Sequence, residues 1–159
     1  MKDAKSVETA TDQLQIHEIH TPDEFPSWID RDGLAEFLHA ALKPYEDPVE
    51  YIQGALDYVF GKDECAGGFI LIGEIAQKPV GALVMLKTNM SGYIPENILL
   101  FIAVDPSARG KGVGGKIIKH GLEKADGDVK LHVEYDNPAK RLYERIGFTS
   151  KYAEMRYHK

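Results

Sequence analysis

A glycine-rich turn in the second half of the sequence carries the residues with the clearest chemical potential: Arg109, Gly110, Lys111, Gly112, Val113, Gly114 and Gly115. Closely spaced glycines let several backbone N–H groups converge on one anion, and a following helix adds the positive end of its dipole. The two cations, Arg109 and Lys111, add charge to this nest of N–H groups. The turn therefore predicts a phosphate site.

One phosphate motif that fits the turn is the dinucleotide fingerprint G-x-G-x-x-G, met by Gly110, Gly112 and Gly115. Glu134 follows near the position where that fingerprint expects an acidic residue. However, residues 105–109 separate the preceding apolar run from the glycines. In addition, too few residues follow Gly115 to complete a doubly wound domain. These two features disfavour a dinucleotide site.

A P-loop is a second interpretation, because residues 110–116 satisfy G-x-x-x-x-G-K. Ile117 then stands where the Mg²⁺-binding Ser or Thr of a P-loop belongs, which disfavours nucleotide hydrolysis. A third pattern, Arg/Gln-x-x-Gly-x-Gly/Ala, is met by Arg109, Gly112 and Gly114. The turn by itself fits all three motifs, so the elements around it have to decide between them.

Hydrophobic periodicity puts the turn between a strand and a helix. Alternating or continuous apolar runs predict strands at residues 14–20, 69–75, 80–88, 98–104, 130–135 and 148–157. Apolar residues at helical spacing predict helices within residues 34–42, 48–61, 114–125 and 138–147. The order β-α-α-β-β-β-α-β-α-β predicts the α/β class, with a mixed sheet and helices on both faces.

Length and composition narrow the possible functions. The 159 residues fit one domain, predicted at 14–159 behind a flexible polar arm at 1–13. A net charge of −6 disfavours a nucleic-acid partner, which usually needs a basic face. The single cysteine, Cys65, cannot form an intramolecular disulfide and is interpreted as a bystander thiol. No apolar run reaches the length of a membrane span and no signal peptide is visible, so a cytoplasmic protein is expected.

The third phosphate pattern belongs to a wider match with one family. Residues 98–106 look like a strand running into the turn, and residues 78–83 look like the start of a hairpin strand. Residues 137–148 look like the block Asn-x-x-Ala-x-x-Leu-Tyr-(x)3-Gly-Phe. Together these motifs resemble, in order and spacing, the GCN5-related N-acetyltransferase (GNAT) superfamily over about half of the chain. The resemblance implies a mixed, mostly antiparallel sheet and transfer of an acetyl group from acetyl-CoA to a primary amine, by direct attack in a ternary complex.

The resemblance also implies which residues contact acetyl-CoA. In the family, the fourth strand splays from its neighbour, and its free N–H groups meet the pantetheine arm and the acyl oxygen. The glycine turn then holds the pyrophosphate, and the downstream block adds further contacts. Carried over to this sequence, the cofactor-binding residues are Ile102, Ala103, Val104, Arg109, Gly110, Lys111, Gly112, Val113, Gly114, Gly115, Asn137 and Lys140.

Catalysis needs a group that accepts the ammonium proton of the acceptor and a group that protonates the departing thiolate. Tyr143 matches the family's general acid, although it also completes an apolar helical stripe. The strand glutamate that some members use as a base is replaced here by Ile98. Glu96, two residues earlier and on the same face of an extended strand, is the predicted base. Glu134, His132 or a water chain are alternatives.

The acceptor is the least constrained part of the prediction. The resemblance implies a small-molecule or peptide amine. Acidic and aromatic residues in the loop between the first two helices and near the acyl end would suit a cationic amine, with candidate contacts at Tyr45, Asp47, Tyr51 and Tyr93. No metal and no membrane partner are expected, and the resemblance allows a homodimer. The alternative to an enzyme is a CoA-binding regulatory module without turnover.

Overall fold

One five-stranded sheet forms the centre of the protein. The structure, a computed structural model, describes residues 9–159, excluding the side chain of Asp12. The strands lie in chain order: β1 (Gln15–Ile19), β2 (Gly68–Ile75), β3 (Lys78–Lys87), β4 (Asn97–Val104) and β5 (Val129–Leu131). The first three pairings are antiparallel and the last, between β4 and β5, is parallel. The predicted mixed, mostly antiparallel sheet is confirmed.

Helices cover both faces of this sheet. They are α1 (Ala10–Gln13), α2 (Arg31–Ala41), α3 (Val49–Val59), α4 (Val113–Lys124) and α5 (Ala139–Ile146). The apolar stripes of α2 and α3 pack on one face, and those of α4 and α5 pack on the other. The period of two along the strands makes this possible: Ile70 and Ile72 face α2 and α3, whereas Phe69 and Leu71 face α4 and α5.

Local sequence signals set the helix ends. The Asp30 carboxylate accepts a hydrogen bond of 2.7 Å from the Gly33 backbone and so caps the start of α2. Pro48 is the N-cap of α3, and Gly61, at φ +87°, follows its end in a left-handed conformation. Gly121 lets α4 lie close to the sheet, because a Cβ there would be 2.9 Å from Leu83.

The geometry that positions the site lies along β4. Met85 pairs with Leu99 and Val84 with Phe101, so Leu100 forms a bulge. On the other side, β5 pairs with β4 only from Asn97 to Leu99. Beyond Leu99 the two strands separate, and within the described part of the chain no strand pairs with that edge of β4. The resulting gap runs toward the glycine turn, which follows β4 in the chain.

Three predictions about the elements need correction. Residues 148–157 form no strand, since none of their backbone groups joins the sheet. β5 ends at Leu131 rather than at residue 135, because the chain turns away and the Asn137 N–H bonds to the Glu134 carbonyl at 3.1 Å. Part of the predicted arm is helical, as α1; the rest of it, residues 1–8, lies outside the described residues.

Candidate functional site

The glycine turn has the backbone geometry of an anion cradle. Gly110 and Gly112 have φ values of +73° and +82°, which glycine adopts most readily. Gly112 is the N-cap of α4, so the N–H groups of Val113, Gly114 and Gly115 have no acceptor inside the helix. These N–H groups and the helix dipole converge on one place, which fits a pyrophosphate.

The cations of the turn bond to backbone carbonyls. Arg109 donates from Nε to Val104 O at 3.1 Å and from Nη2 to Ala41 O at 2.6 Å, so it ties the end of α2 to the end of β4. Lys111 Nζ donates to Ser107 O at 3.1 Å. The sequence did not reveal the bracing role of Arg109, because Ala41 is 68 positions away.

The free edge of β4 offers backbone donors beside the gap. The Asp105 N–H donates to Val80 O on β3 at 2.8 Å. Because backbone groups alternate along a strand, Ala103 also faces β3, while the N–H groups of Ile102 and Val104 face the gap. Only these two of the three predicted β4 positions therefore point their N–H groups away from β3.

Gly114 permits a close approach between this edge and the helix. A Cβ at Gly114 would lie 3.2 Å from Val104 Cγ2 and 3.6 Å from Leu142 Cδ2. A larger residue would push the start of α4 away from the end of β4. Gly115 has more room, since its nearest neighbour would be Leu142 at 3.9 Å.

Tyr143 lies on α5 and is nearly buried, with 8% of its surface exposed. Its ring packs edge-on against Phe148 at 5.9 Å between centroids. Burial, and secondly the charge of Glu134, raise the pKa of Tyr143 to about 12. The hydroxyl is therefore protonated at neutral pH, which suits a proton donor and not a base.

Asn137 and Lys140 differ in what they contact. Asn137 Oδ1 accepts a hydrogen bond of 3.0 Å from the Ala139 N–H at the start of α5. The helix begins at Ala139, one residue later than predicted from the sequence. Lys140 pairs with Glu144 at 2.7 Å. Counted back from Ala139, the family block puts its Asn at position 136, which is Asp136 here. Asn137 is thus one residue out of register with that pattern.

Glu96 holds together a loop at the far end of β4. Its Oε2 accepts a hydrogen bond of 2.8 Å from the Asp128 N–H. Backbone hydrogen bonds, first from Asp128 and then from Glu96 and Gly92, lower the pKa of this carboxyl. A carboxylate whose charged form is stabilised in this way is a weak proton acceptor. The geometry therefore gives Glu96 a structural contact and provides no support for its predicted role as base.

The predicted acceptor residues do not form one cluster. Tyr45 Oη donates to Asp136 O at 3.3 Å, which brings the loop after α2 to the loop before α5. Asp47 O contacts His39 Nδ1 at 2.8 Å. Tyr51 is exposed, and Tyr93 packs against Tyr152 at 5.9 Å between ring centroids. Only Tyr45 is thereby linked to the loop that carries Glu134.

Residues 9–159 contain neither a cluster of metal-ligating side chains nor a membrane-spanning helix. No set of three or more His, Cys, Asp or Glu side chains in this range could hold a metal ion. No helix in this range is long and apolar enough to cross a membrane.

Sequence comparison identifies a family over just over half of the chain. Residues 66–150 match the profile of the acetyltransferase (GNAT) domain. The mycothiol acetyltransferase of Mycobacterium leprae (strain Br4923) is 38% identical over 104 residues, which cover 58% of this chain and 33% of that protein. The mycothiol acetyltransferase of Actinosynnema mirum is 44% identical over 61 residues, which cover 35% of this chain and 20% of that protein. The chain thus spans a third or less of these curated relatives.

Solved structures share the fold. A transcriptional regulator from Bacillus halodurans C-125 superposes with a TM-score of 0.66 at 19% identity, covering 92% of this chain and 99% of that one. The aminoglycoside N-acetyltransferase AAC(6')-Iy, in complex with CoA, superposes with a TM-score of 0.64 at 15% sequence identity. The superposition covers 92% of this chain and 94% of that one. A ribosomal-protein-alanine N-acetyltransferase from Brucella melitensis superposes with a TM-score of 0.62 at 19% sequence identity, covering 92% of this chain and 99% of that one.

Proposed function

The chain belongs to the GNAT acetyltransferase family, and on that premise we propose that it transfers an acetyl group from acetyl-CoA to a primary amine by direct attack in a ternary complex. The observation that carries the proposal is the separation of β4 from β5 beyond Leu99. That separation leaves the N–H groups of Ile102 and Val104 facing a gap that leads to a phosphate-fitting turn. Backbone donors and an anion cradle thus lie along one path.

The turn and the strand edge bind different parts of acetyl-CoA. The N–H groups from Gly110 to Gly115 bind the pyrophosphate, and the charges of Arg109 and Lys111 stand beside it. The N–H groups of Ile102 and Val104 bind the pantetheine arm and polarise the acyl carbonyl. Acetyl-CoA supplies the thioester and a thiolate leaving group.

Tyr143 donates a hydrogen bond to the leaving sulfur. A thiol has a pKa of about 8.5, roughly 3.5 units below that of Tyr143, so complete proton transfer from Tyr143 alone would cost about 5 kcal/mol. The hydroxyl therefore works as a relay: it passes its proton to sulfur while it takes one from the attacking nitrogen. The tyrosinate then never accumulates.

The test is the release of free thiol from acetyl-CoA across a panel of amines. The panel includes an aminoglycoside and a peptide with N-terminal alanine, because proteins of this fold are named for such acceptors. At least one amine should accelerate thiol release. Tyr143→Phe should lower kcat about 100-fold with unchanged acetyl-CoA affinity. Tyr135→Phe, which removes a hydroxyl from a tyrosine that is 85% exposed, is the matched control and should leave kcat unchanged.

Two outcomes would contradict the proposal. Binding of acetyl-CoA without acceleration by any amine would favour the alternative, a CoA-binding regulatory module. Thermal stabilisation by NADH and not by acetyl-CoA would instead favour the dinucleotide interpretation of the turn.

A further inference from the structure

The loop between β5 and α5 holds a carboxylate in a fixed position. Asn137 Nδ2 donates to Glu134 Oε2 at 3.0 Å, and the Asn137 N–H donates to Glu134 O at 3.1 Å. The oxygen of the same side-chain amide, Asn137 Oδ1, accepts a hydrogen bond from the Ala139 N–H at 3.0 Å. One Asn side chain therefore fixes both the Glu134 carboxylate and the first turn of α5. Glu134 Oε1 takes no hydrogen bond from the described residues and is available to a ligand.

The segment after α2 contacts the same loop. Tyr45, which is 91 positions away in the chain, donates to the Asp136 carbonyl at 3.3 Å. Desolvation raises the pKa of Tyr45, and the charges of Asp136 and Glu134 raise it further. The Tyr45 hydroxyl therefore meets the loop two residues from Glu134.

Tyr143 lies on α5, the helix that follows this loop. The residue is 8% exposed, and its ring packs against Phe148. Glu134 is the one charged group that contributes to the raised pKa of this tyrosine. The charge of Glu134 therefore reaches the side chain that is proposed to protonate the leaving sulfur.

We propose that Glu134 binds the ammonium group of the acceptor and removes its proton. This inference rests on the proposed amine acetylation and goes beyond it by naming the base and the charge of the acceptor. Glu134 lies three residues after the last residue that pairs with β4, at the mouth of the gap. Glu96, by contrast, is held by Asp128 at the opposite end of β4.

The step balances with two proton transfers. The ammonium gives one proton to Glu134, and the free amine attacks the thioester carbon. The C–N bond forms and the C–S bond breaks, while a second proton from nitrogen passes through the Tyr143 hydroxyl to the sulfur. Glu134 then releases its proton to water. The products are the amide, free CoA thiol and one proton.

The experiment compares Glu134→Gln with Glu123→Gln, an exposed helical glutamate on α4. Two acceptors are used: an alkyl amine, with a pKa of about 10.4, and a peptide α-amine, with a pKa of about 7.8. At pH 7, Glu134→Gln should lower kcat/KM for the alkyl amine at least about 100-fold. The loss should be smaller for the α-amine, because more of it is already deprotonated. Raising the pH toward 10 should restore part of the activity, and acetyl-CoA affinity should stay unchanged.

The result that overturns the inference is equal kcat/KM for Glu134→Gln and wild type on the alkyl amine. An equal loss on both amines at every pH would also overturn it, since that would indicate a structural role. Glu134→Asp keeps the charge and should retain part of the activity, which guards against a folding defect in the Gln variant. If wild type itself acetylates no amine, the proposed function fails first, so the two failures are distinguishable.

Discussion

The two ends of the candidate site are built in different ways. The phosphate end is one continuous segment, residues 109–115, whose glycines and helix start create the cradle locally. The acyl end draws on four separate segments, which carry Tyr45, Ile102, Glu134 and Tyr143. A local site depends on a few backbone angles, whereas an assembled site depends on how the sheet and helices pack. Substitutions at the two ends should therefore fail in different ways.

The largest expected effect is at the phosphate end. Gly112→Asp places a carboxylate beside the pyrophosphate site and should weaken acetyl-CoA binding about a thousandfold, because like charges brought together cost several kcal/mol. Calorimetric titration measures the change. Gly61→Asp is the control, since Gly61 has a similar φ of +87° and its Cβ would meet nothing closer than 3.9 Å. Unchanged affinity in folded Gly112→Asp would show that the anion binds elsewhere.

The next effect belongs to the acyl end and follows from the pKa of Tyr143. Its folded-state pKa, about 12, exceeds the ordinary value of 10, so the contribution to stability is complete below pH 10 and is lost as the pH rises toward 12. The loss amounts to about 3 kcal/mol. Urea unfolding of wild type and Tyr143→Phe between pH 8 and 11 should detect about half of this loss by pH 11. If the free energies of unfolding of the two proteins change in parallel with pH, the burial of Tyr143 is contradicted. The control Tyr135→Phe should show the same pH dependence as wild type.

The smallest effect is expected at Glu96. Glu96→Gln should leave kcat within about threefold of wild type, because the side chain braces a loop. It should also lower the melting temperature slightly near neutral pH. The folded-state pKa of Glu96 is lowered, so this contribution is present above the unfolded pKa and disappears as the pH falls through the folded value. Glu36→Gln, on the exposed side of α2, is the control. A loss of turnover near that of Glu134→Gln would return Glu96 to the role of base.

The sequence predicted the strand and helix order well where periodicity was strong. The continuous apolar run of β4 and the stripes of α2, α3 and α4 each lie within a few residues of their predicted positions. It failed at residues 148–157, which were predicted to form a final strand and form none. A strand forms only if an edge is available to pair with, and β5 stops at Leu131 as the chain turns away. That information is not local, so periodicity could not supply it.

For the candidate site, the sequence by itself predicted an anion-binding turn, because a glycine turn before a helix creates converging N–H groups from a few consecutive residues. It also determined Tyr143 as a candidate, through its place in a family block. Tertiary structure alone decided that Arg109 braces α2 to β4, that Ala103 faces β3 and that Glu96 holds a loop. It also brought Tyr45 to the loop of Glu134 across 91 positions. The reason is physical: which groups share a cleft depends on strand register and helix packing, and these are settled only when the whole chain has folded.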